Sequence, residues 1–196
     1  MVKLTTSLIA LCCFMLASCA AQPPTYYFDL TSQTVAGNQH IRDDVSLGVG
    51  PITLPQLLDR PGIVSRHSET GVKVASYHVW AGELEPTFTR VLADNIATDL
   101  QHQTVWASPW DNRFRPEYQI RVFVDRFSGE LDGDVQLRLS WTLLGDYGQK
   151  AISTHRYSAV VVSDGSYQGY VDALNTLLTE FARQVSKTLT RELPPA

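Results

Sequence analysis

The sequence predicts an α+β fold, a two-layer sandwich in which two main helices pack on one face of a mostly antiparallel or mixed sheet of about five strands. Three observations support this prediction. Residues 135–143 alternate apolar and polar side chains without interruption, which is typical of a strand with one buried face. Residues 167–192 repeat apolar side chains at steps of three and four, which indicates a long amphipathic helix. Residues 85–101 show the same helical period over a shorter stretch.

The first third of the chain contains short strand patterns separated by turns. Aromatic and β-branched residues predict strands at 26–30, 45–54, 63–66 and 72–76. The polar residues 31–44 are predicted to form a loop. Residues 55–61 begin and end with proline, which predicts a turn or a single helical turn.

The first helix is predicted from Glu85 to Gln101. Pro86 suits its first turn, because the N–H that proline lacks has no helical acceptor there. The face expected in the core carries Leu84, Phe88, Val91, Leu92, Asn95, Ile96 and Leu100. A brief strand at 105–107 follows the helix.

The clearest sheet pattern is an antiparallel meander of strands at 118–127, 135–143 and 151–162. Gly129 and Gly133 mark the first turn, and a glycine at each end marks the second, at 145–148. In the middle strand the alternation places Trp141 on the buried face, so we expect Trp141 in the core.

The last helix is predicted from Tyr167 to Glu192, with candidate N-caps in 163–166. Its apolar stripe consists of Tyr170, Val171, Leu174, Leu177, Leu178, Phe181, Val185 and Leu189. Burial of each such side chain contributes about 1.5–3 kcal/mol, which is ample to hold the helix on the sheet.

The N-terminus carries an apolar run from Leu8 to Ala17, preceded by Lys3. A membrane-spanning helix needs about 20 apolar residues, whereas this run has the length found in secretory signal peptides. The sequence Leu-Ala-Ser-Cys at 16–19 matches a bacterial lipobox. We therefore predict that residues 1–18 are a lipoprotein signal peptide and that Cys19 becomes the acylated N-terminus. The alternatives are an ordinary secretory signal with a chance cysteine and an uncleaved anchor.

Lipidation at Cys19 would hold the protein stably on a membrane, since two or more acyl chains suffice. Residues 19–25 would form the tether, stiffened by its two prolines, and 26–196 a single domain. Ala20 stands where an aspartate would retain a lipoprotein in the inner membrane of enteric-type bacteria, so we expect the outer membrane. Cys12 and Cys13 leave with the signal, which excludes disulfide chemistry and cysteine zinc sites from the mature chain.

Composition and motifs favour a non-catalytic protein. The net charge of −4 is mixed along the chain, with no basic run that would suit nucleic acid. The acidic residues Asp125, Glu130, Asp132 and Asp134 could suggest a glycosidase or a calcium site, but the glycines among them favour a solvated hairpin loop. There is neither a Gly-x-Ser-x-Gly elbow nor a phosphate-binding glycine loop. We predict no cofactor and no metal, although a site built from distant histidines stays open.

Two segments, 51–60 and 106–110, lack the periodicity of a buried element. We predict partner contacts there, at Leu54, Pro55, Leu57, Leu58, Trp106 and Trp110. For the two tryptophans, packing against the domain is the alternative to ligand or partner binding.

The chain resembles PqiC-type lipoproteins, the auxiliary lipoprotein components of ABC-type and MCE transport systems. The resemblance runs in order through nearly the whole mature domain. Its matching pieces are Tyr26-Tyr27-x-x-Leu30, the run Val49–Leu58, Trp80-Ala81 before a helix with Leu92 and Asn95, Phe127-x-Gly129-x-x-Asp132-Gly133, Trp141-x-Leu143 and Asp164-Gly165-x-Tyr167. One departure is Gly82-Glu83-Leu84, where the family is expected to have Pro-Leu.

The resemblance implies a non-catalytic outer-membrane lipoprotein that faces the periplasm, serves an intermembrane lipid-transport system and supports membrane integrity. It implies two partners, an MCE-domain (PqiB-like) tunnel protein and an integral inner-membrane (PqiA-like) protein, and is compatible with a homo-oligomer. A regulator of a peptidoglycan synthase is the alternative. Such a role usually needs a long disordered tether, whereas residues 20–25 reach only about 20 Å when extended.

Overall fold

A computed structural model of the chain describes residues 22–33, 37, 39–111 and 114–193. Its elements in chain order are β1 (Tyr26–Phe28), β2 (Leu47–Thr53), a 3₁₀ turn (Gln56–Leu58), β3 (Gly62–Arg66), β4 (Val72–Trp80), α1 (Leu84–Leu100), β5 (Val105–Ala107), β6 (Tyr118–Gly129), β7 (Asp134–Gly145), β8 (Lys150–Val162) and α2 (Tyr167–Glu192). The α+β prediction is confirmed. The largest difference in bounds is at β4, which continues to Trp80 rather than ending at Ser76.

The larger sheet has five strands in the order β5-β2-β6-β7-β8. Strands β6, β7 and β8 form the predicted antiparallel meander. Strand β2 is parallel to both of its neighbours, β5 and β6. Parallel pairing requires a crossover connection, and the long connection from β2 to β5, which includes α1, supplies one. The sheet is therefore mixed.

Both helices pack on one face of this sheet. The predicted stripe of α2 is buried along its whole length, and Phe181 is fully inaccessible to solvent. Its ring meets Trp141 of β7 edge-on, with ring centroids 6.3 Å apart. In the same way, the ring of Phe88 in α1 packs edge-on against the ring of Phe127 in β6, with centroids 5.1 Å apart. The prediction that Trp141 lies in the core is confirmed, because only 2% of its surface is exposed.

A second sheet of three strands, in the order β1-β4-β3, was not anticipated from the sequence. Strand β1 is an edge strand parallel to β4, with Tyr26 opposite His78 and Phe28 opposite Trp80. Strands β3 and β4 form an antiparallel hairpin. Strand β1 has only three residues and pairs with β4, about fifty residues later in the chain. Such a pairing leaves no periodic pattern in the sequence, so the sequence alone predicted a single sheet.

Tyr170 of α2 joins the two sheets. Its hydroxyl donates to the carbonyl of Val64 in β3, at 2.8 Å, and accepts from the backbone N–H of Gly129 at the end of β6, at 2.9 Å. Burial raises the pKa of Tyr170 to about 12, so the hydroxyl keeps the proton that it donates. One buried side chain thus satisfies a backbone group of each sheet.

Buried asparagines hold the chain that follows β1. Asn95 of α1 accepts from the N–H of Gln33 at 3.1 Å, and Asn175 of α2 accepts from the N–H of Thr31 at 3.0 Å. The amide of Asn95 also donates to Thr179 at 3.4 Å. The chain after β1 is therefore hydrogen-bonded to both helices. This role explains why Asn95, a polar residue, lies on the apolar face of α1.

Candidate docking site

A cleft opens between the 3₁₀ turn and the first turn of α1. Proline at 55 fixes the start of the turn, where Leu58 N–H donates to the Pro55 carbonyl at 2.8 Å. Opposite it, α1 begins after Glu83, which has an extended backbone. The space between them is about 410 Å³ and is lined by Leu54, Gln56, Leu58, Asp59, Glu83, Leu84, Glu85 and Pro86. We call these residues the docking cleft.

The docking cleft combines an apolar floor with an acidic rim. Leu58 and Leu84 form the floor and are almost entirely buried. Asp59, Glu83 and Glu85 are exposed at the rim. A neighbouring hollow of about 380 Å³ shares residues with the cleft and extends it past Arg60 and Trp80. Such a surface can accept an apolar side chain, and its carboxylates favour basic groups around that side chain.

The predicted contact residues of this segment lie at different depths. Leu54 and Leu58 line the docking cleft, whereas Pro55 and Leu57 are half-buried beside it. Leu57 packs against the core. Leu58 is only 5% exposed, so its side chain is part of the core and a partner can reach it only through the cleft. The sequence could not show this, because a single helical turn is too short to have a period.

The second predicted segment forms what we call the tryptophan corner, made of Trp106, Trp110 and Phe114. The Trp106 ring is 48% exposed and meets Phe114 edge-on at 5.2 Å. The Trp110 indole N–H donates to the carbonyl of Trp106 at 3.3 Å. Trp110 also covers Gly48, where any Cβ would lie 2.5 Å from the ring. Trp110 therefore packs against the domain, while Trp106 offers an aromatic face to solvent.

The sheet places the two predicted segments at the ends of neighbouring strands. Gly48 of β2 lies opposite Trp106 of β5 in a parallel pair, so both strands end at the same side of the sheet. Just beyond, Ser108 N–H donates to the Val49 carbonyl at 2.9 Å. The docking cleft and the tryptophan corner share no lining residue. A partner-contact role for either stays a prediction.

The predicted lipidation site, Cys19, lies outside the described residues, as does the signal peptide. The first described residues, 22–25, are exposed and lead directly into β1. No helix among the described residues is long and apolar enough to cross a membrane. Lipidation and its place in the chain therefore stay predictions.

The acidic residues that could have suggested calcium or catalysis belong to the β6–β7 hairpin. Asp125 lies 4.0 Å from the guanidinium of Arg138 on the neighbouring strand, and the backbone of Glu130 forms an isolated parallel β-bridge with that of Arg66. Within the part of the chain that the structure describes, no group of three or more histidine, cysteine or acidic side chains could hold a metal ion.

A cluster of Ser153, His155 and Glu192 was not predicted, because 37 or more residues separate the glutamate from the other two. Ser153 donates to the Glu192 carboxylate through a short hydrogen bond. His155 Nε2 lies 2.8 Å from Ser153 Oγ and 3.4 Å from Glu192 Oε1. A catalytic relay places serine and carboxylate on opposite ring nitrogens, whereas here both meet Nε2. The cluster therefore ties the end of α2 to β8.

The electrostatics of this cluster favour an ionised glutamate. Partial burial acts to raise the pKa of Glu192, but the hydrogen bond from Ser153 and the proximity of His155 outweigh it. The pKa of Glu192 is consequently lower than that of a free glutamate.

Comparisons with known proteins agree with the fold. The family model described as ABC-type transport auxiliary lipoprotein component matches residues 28–186. The crystal structure of protein XCC0632 from Xanthomonas campestris, of the DUF330 family, is similar with a TM-score of 0.72 and 14% identity, covering 86% of this chain and 96% of that chain. A crystal structure of an uncharacterized protein has a TM-score of 0.65 and 20% identity, over 88% of this chain and all of that one. At these identities the two structures show the fold alone. No curated protein matches the sequence.

Proposed function

Because the chain belongs to the family of ABC-type transport auxiliary lipoprotein components, we propose that it is the non-catalytic outer-membrane lipoprotein of an MCE-type intermembrane lipid-transport system. It is anchored through Cys19, faces the periplasm, and docks an MCE-domain tunnel protein whose other end meets an integral inner-membrane protein. The observation that carries this proposal is the family match, which spans nearly all of the described domain. Loss of the protein would then weaken the membrane barrier.

The docking cleft and the tryptophan corner are the surfaces proposed for the tunnel protein. The cleft begins directly after β2 and the tryptophan corner begins within β5, and these two strands end at the same side of the larger sheet. The cleft offers an apolar floor within an acidic rim, and Trp106 adds an exposed aromatic side chain. A partner segment with an apolar side chain among basic residues would suit the cleft, and aromatic residues often anchor interfaces.

Affinity capture with the full-length acylated protein in detergent tests the proposal. We expect it to retain the MCE-domain protein. Asp59→Lys in the cleft and Trp106→Ala in the corner should each reduce that capture. The matched controls are Glu180→Lys, an exposed charge reversal on α2, and Phe123→Ala, an exposed aromatic elsewhere on the larger sheet; neither should alter it.

Deletion of the gene provides a second readout, since an envelope lipid-transport role predicts increased permeability to detergents. Capture of a peptidoglycan synthase instead, together with an intact permeability barrier after deletion, would contradict the proposal and favour the synthase regulator.

A further inference from the structure

An exposed group of tyrosines surrounds the point where the tether joins the domain. Tyr26 is 53% exposed, Tyr27 70% and Tyr77, on the adjacent strand, 41%. Successive side chains on a strand point to opposite faces. The exposure of both Tyr26 and Tyr27 therefore means that the start of β1 projects from the domain on both faces. We call Tyr26, on one face of this sheet edge, and Tyr27 and Tyr77, on the other, the anchor-side aromatic patch.

The patch is held rigidly rather than carried on a loose end. The His78 ring stacks on Tyr26 at 5.3 Å between centroids and on Tyr167, the first residue of α2, at 3.9 Å. Ala81 N–H donates to the carbonyl of Phe28 at 2.8 Å. Together with the asparagine contacts to the chain after β1, these interactions hold the ring of Tyr26 and the backbone of β1 in place.

The two short segments that carry the patch contain no acidic or basic side chain of the Asp, Glu, Lys or Arg type. From Ala20 to Phe28 and from Val74 to Ala81 there is no Asp, Glu, Lys or Arg, although Asp29 and Lys73 lie just outside these bounds. The Asp29 carboxylate has the Arg90 guanidinium as a partner at 3.9 Å. Within these two segments no carboxylate, ammonium or guanidinium group would oppose transfer into the headgroup region. The phenol ring combines an apolar body with a polar tip, which is why tyrosine is enriched at the level of lipid headgroups.

The length of the tether limits how far the patch can lie from the bilayer surface. Seven residues of chain lead from Cys19 to Tyr26, a reach of at most about 25 Å when fully extended. An acylated Cys19 lies at the bilayer surface, so the patch is confined to that distance from it. We propose that the anchor-side aromatic patch inserts into the headgroup region of the phospholipid bilayer and sets the orientation of the domain on the membrane. This inference rests on the proposed lipid anchor at Cys19.

Site-specific fluorescence in vesicles tests the inference. Since Cys19 would be the single cysteine of the mature chain, Ser76→Cys provides a unique label beside the patch with every tyrosine retained. Ser158→Cys, at a serine on β8 that is also exposed, is the matched control. The full-length acylated protein would be labelled with an environment-sensitive fluorophore and reconstituted in phosphatidylethanolamine and phosphatidylglycerol vesicles.

At residue 76 we expect quenching by a nitroxide carried on the lipid and little quenching by iodide in the water. At residue 158 we expect iodide to quench the label and the lipid nitroxide not to. Changing both Tyr26 and Tyr27 to serine should abolish the lipid quenching at residue 76. No lipid quenching at residue 76, equal quenching at both sites, or quenching that survives the double substitution would overturn the inference.

Two controls distinguish a missing anchor and self-association from insertion of the patch into the bilayer. Intact-mass measurement before reconstitution shows whether Cys19 is acylated. An unacylated Cys19 would contradict the proposed function. An acylated protein whose label at residue 76 stays in water would contradict only the present inference. The label at residue 76 could instead be shielded from iodide without being quenched by the lipid nitroxide. If that shielding disappeared when the protein was diluted in the bilayer, a second copy would be covering the patch, and the inference would be overturned.

Discussion

The two sheets of this domain bury their side chains very differently. Strands β6 and β7 of the larger sheet alternate buried and exposed residues over most of their length, and both helices cover the buried face. In the smaller sheet most of β4 and the first two residues of β1 are exposed. The larger sheet and its helices supply most of the core that stabilises the fold, to which β3 adds Ile63 and Val64. Strand β1 and most of β4, in contrast, present surface next to the tether. Helix α2 links them, since it starts beside His78 of the smaller sheet and ends beside β8 of the larger.

The largest expected effect tests the claim that stability comes from the covered face of the larger sheet. Phe181→Ala should lower the free energy of unfolding by about 3–5 kcal/mol, because it leaves a cavity against Trp141 and Tyr157. Phe123→Ala removes a phenyl ring from the opposite face of the sheet, where 54% of the Phe123 side chain is exposed. It should change the free energy of unfolding by less than about 0.5 kcal/mol. Denaturant titration measures both, and equal losses would refute the assignment of the core to one face.

The next effect concerns the link between the sheets. Tyr170→Phe keeps the ring but removes the hydrogen bonds that the Gly129 N–H and the Val64 carbonyl make with the hydroxyl. This should lower the free energy of unfolding by about 2 kcal/mol. Hydrogen exchange should accelerate in β3 and β4 more than in β7 and β8. Tyr77→Phe, on the exposed side of the smaller sheet, should be close to neutral. Uniform acceleration across both sheets would argue against a link that acts at their junction.

The start of α2 offers a smaller and more local test. The Ser166 hydroxyl accepts from the N–H of Gly169 at 2.9 Å and caps the helix. Ser166→Ala should therefore cost about 1 kcal/mol of stability. Exchange should increase in the first turn of α2, where Tyr167 stacks on His78, and not at its far end. Ser76→Ala is the control, since Ser76 is exposed on β4.

The smallest expected effect lies at the other end of α2 and depends on pH. The pKa of Glu192 is lower in the folded protein than the 4.5 of a free glutamate. Its ionised form therefore stabilises the fold above pH 4.5, and this contribution is lost as the pH falls through the lowered value. The partly exposed interaction is worth less than about 1 kcal/mol.

Glu192→Gln should consequently make the decline in stability below pH 4.5 shallower, and Ser153→Ala should do so in part. Thermal unfolding at a series of pH values measures the slope. An unchanged slope in Glu192→Gln would show that the cluster contributes nothing to acid sensitivity.

Much of the local structure could be predicted from the sequence. The faultless alternation in β7 placed Trp141 in the core, and the helical stripe of α2 predicted both its bounds, Tyr167 and Glu192. Two of the candidate site residues, Leu54 and Leu58, do line the docking cleft. The other wall of the cleft, at 83–86, was not predicted to face them, because the pairing depends on how α1 packs and not on either segment alone.

The sequence by itself determined the elements whose signal repeats within a few residues: the meander, both helices and their buried faces, together with the prediction of a lipidated Cys19. The tertiary structure alone decided the division into two sheets, the parallel placement of β2, and the junction at Tyr170. It also decided that His78 and Tyr167 would hold the first strand of the domain. These features join residues that are tens of positions apart in the chain. Their partners come together only when a whole layer has folded, so no local sequence pattern predicts such contacts.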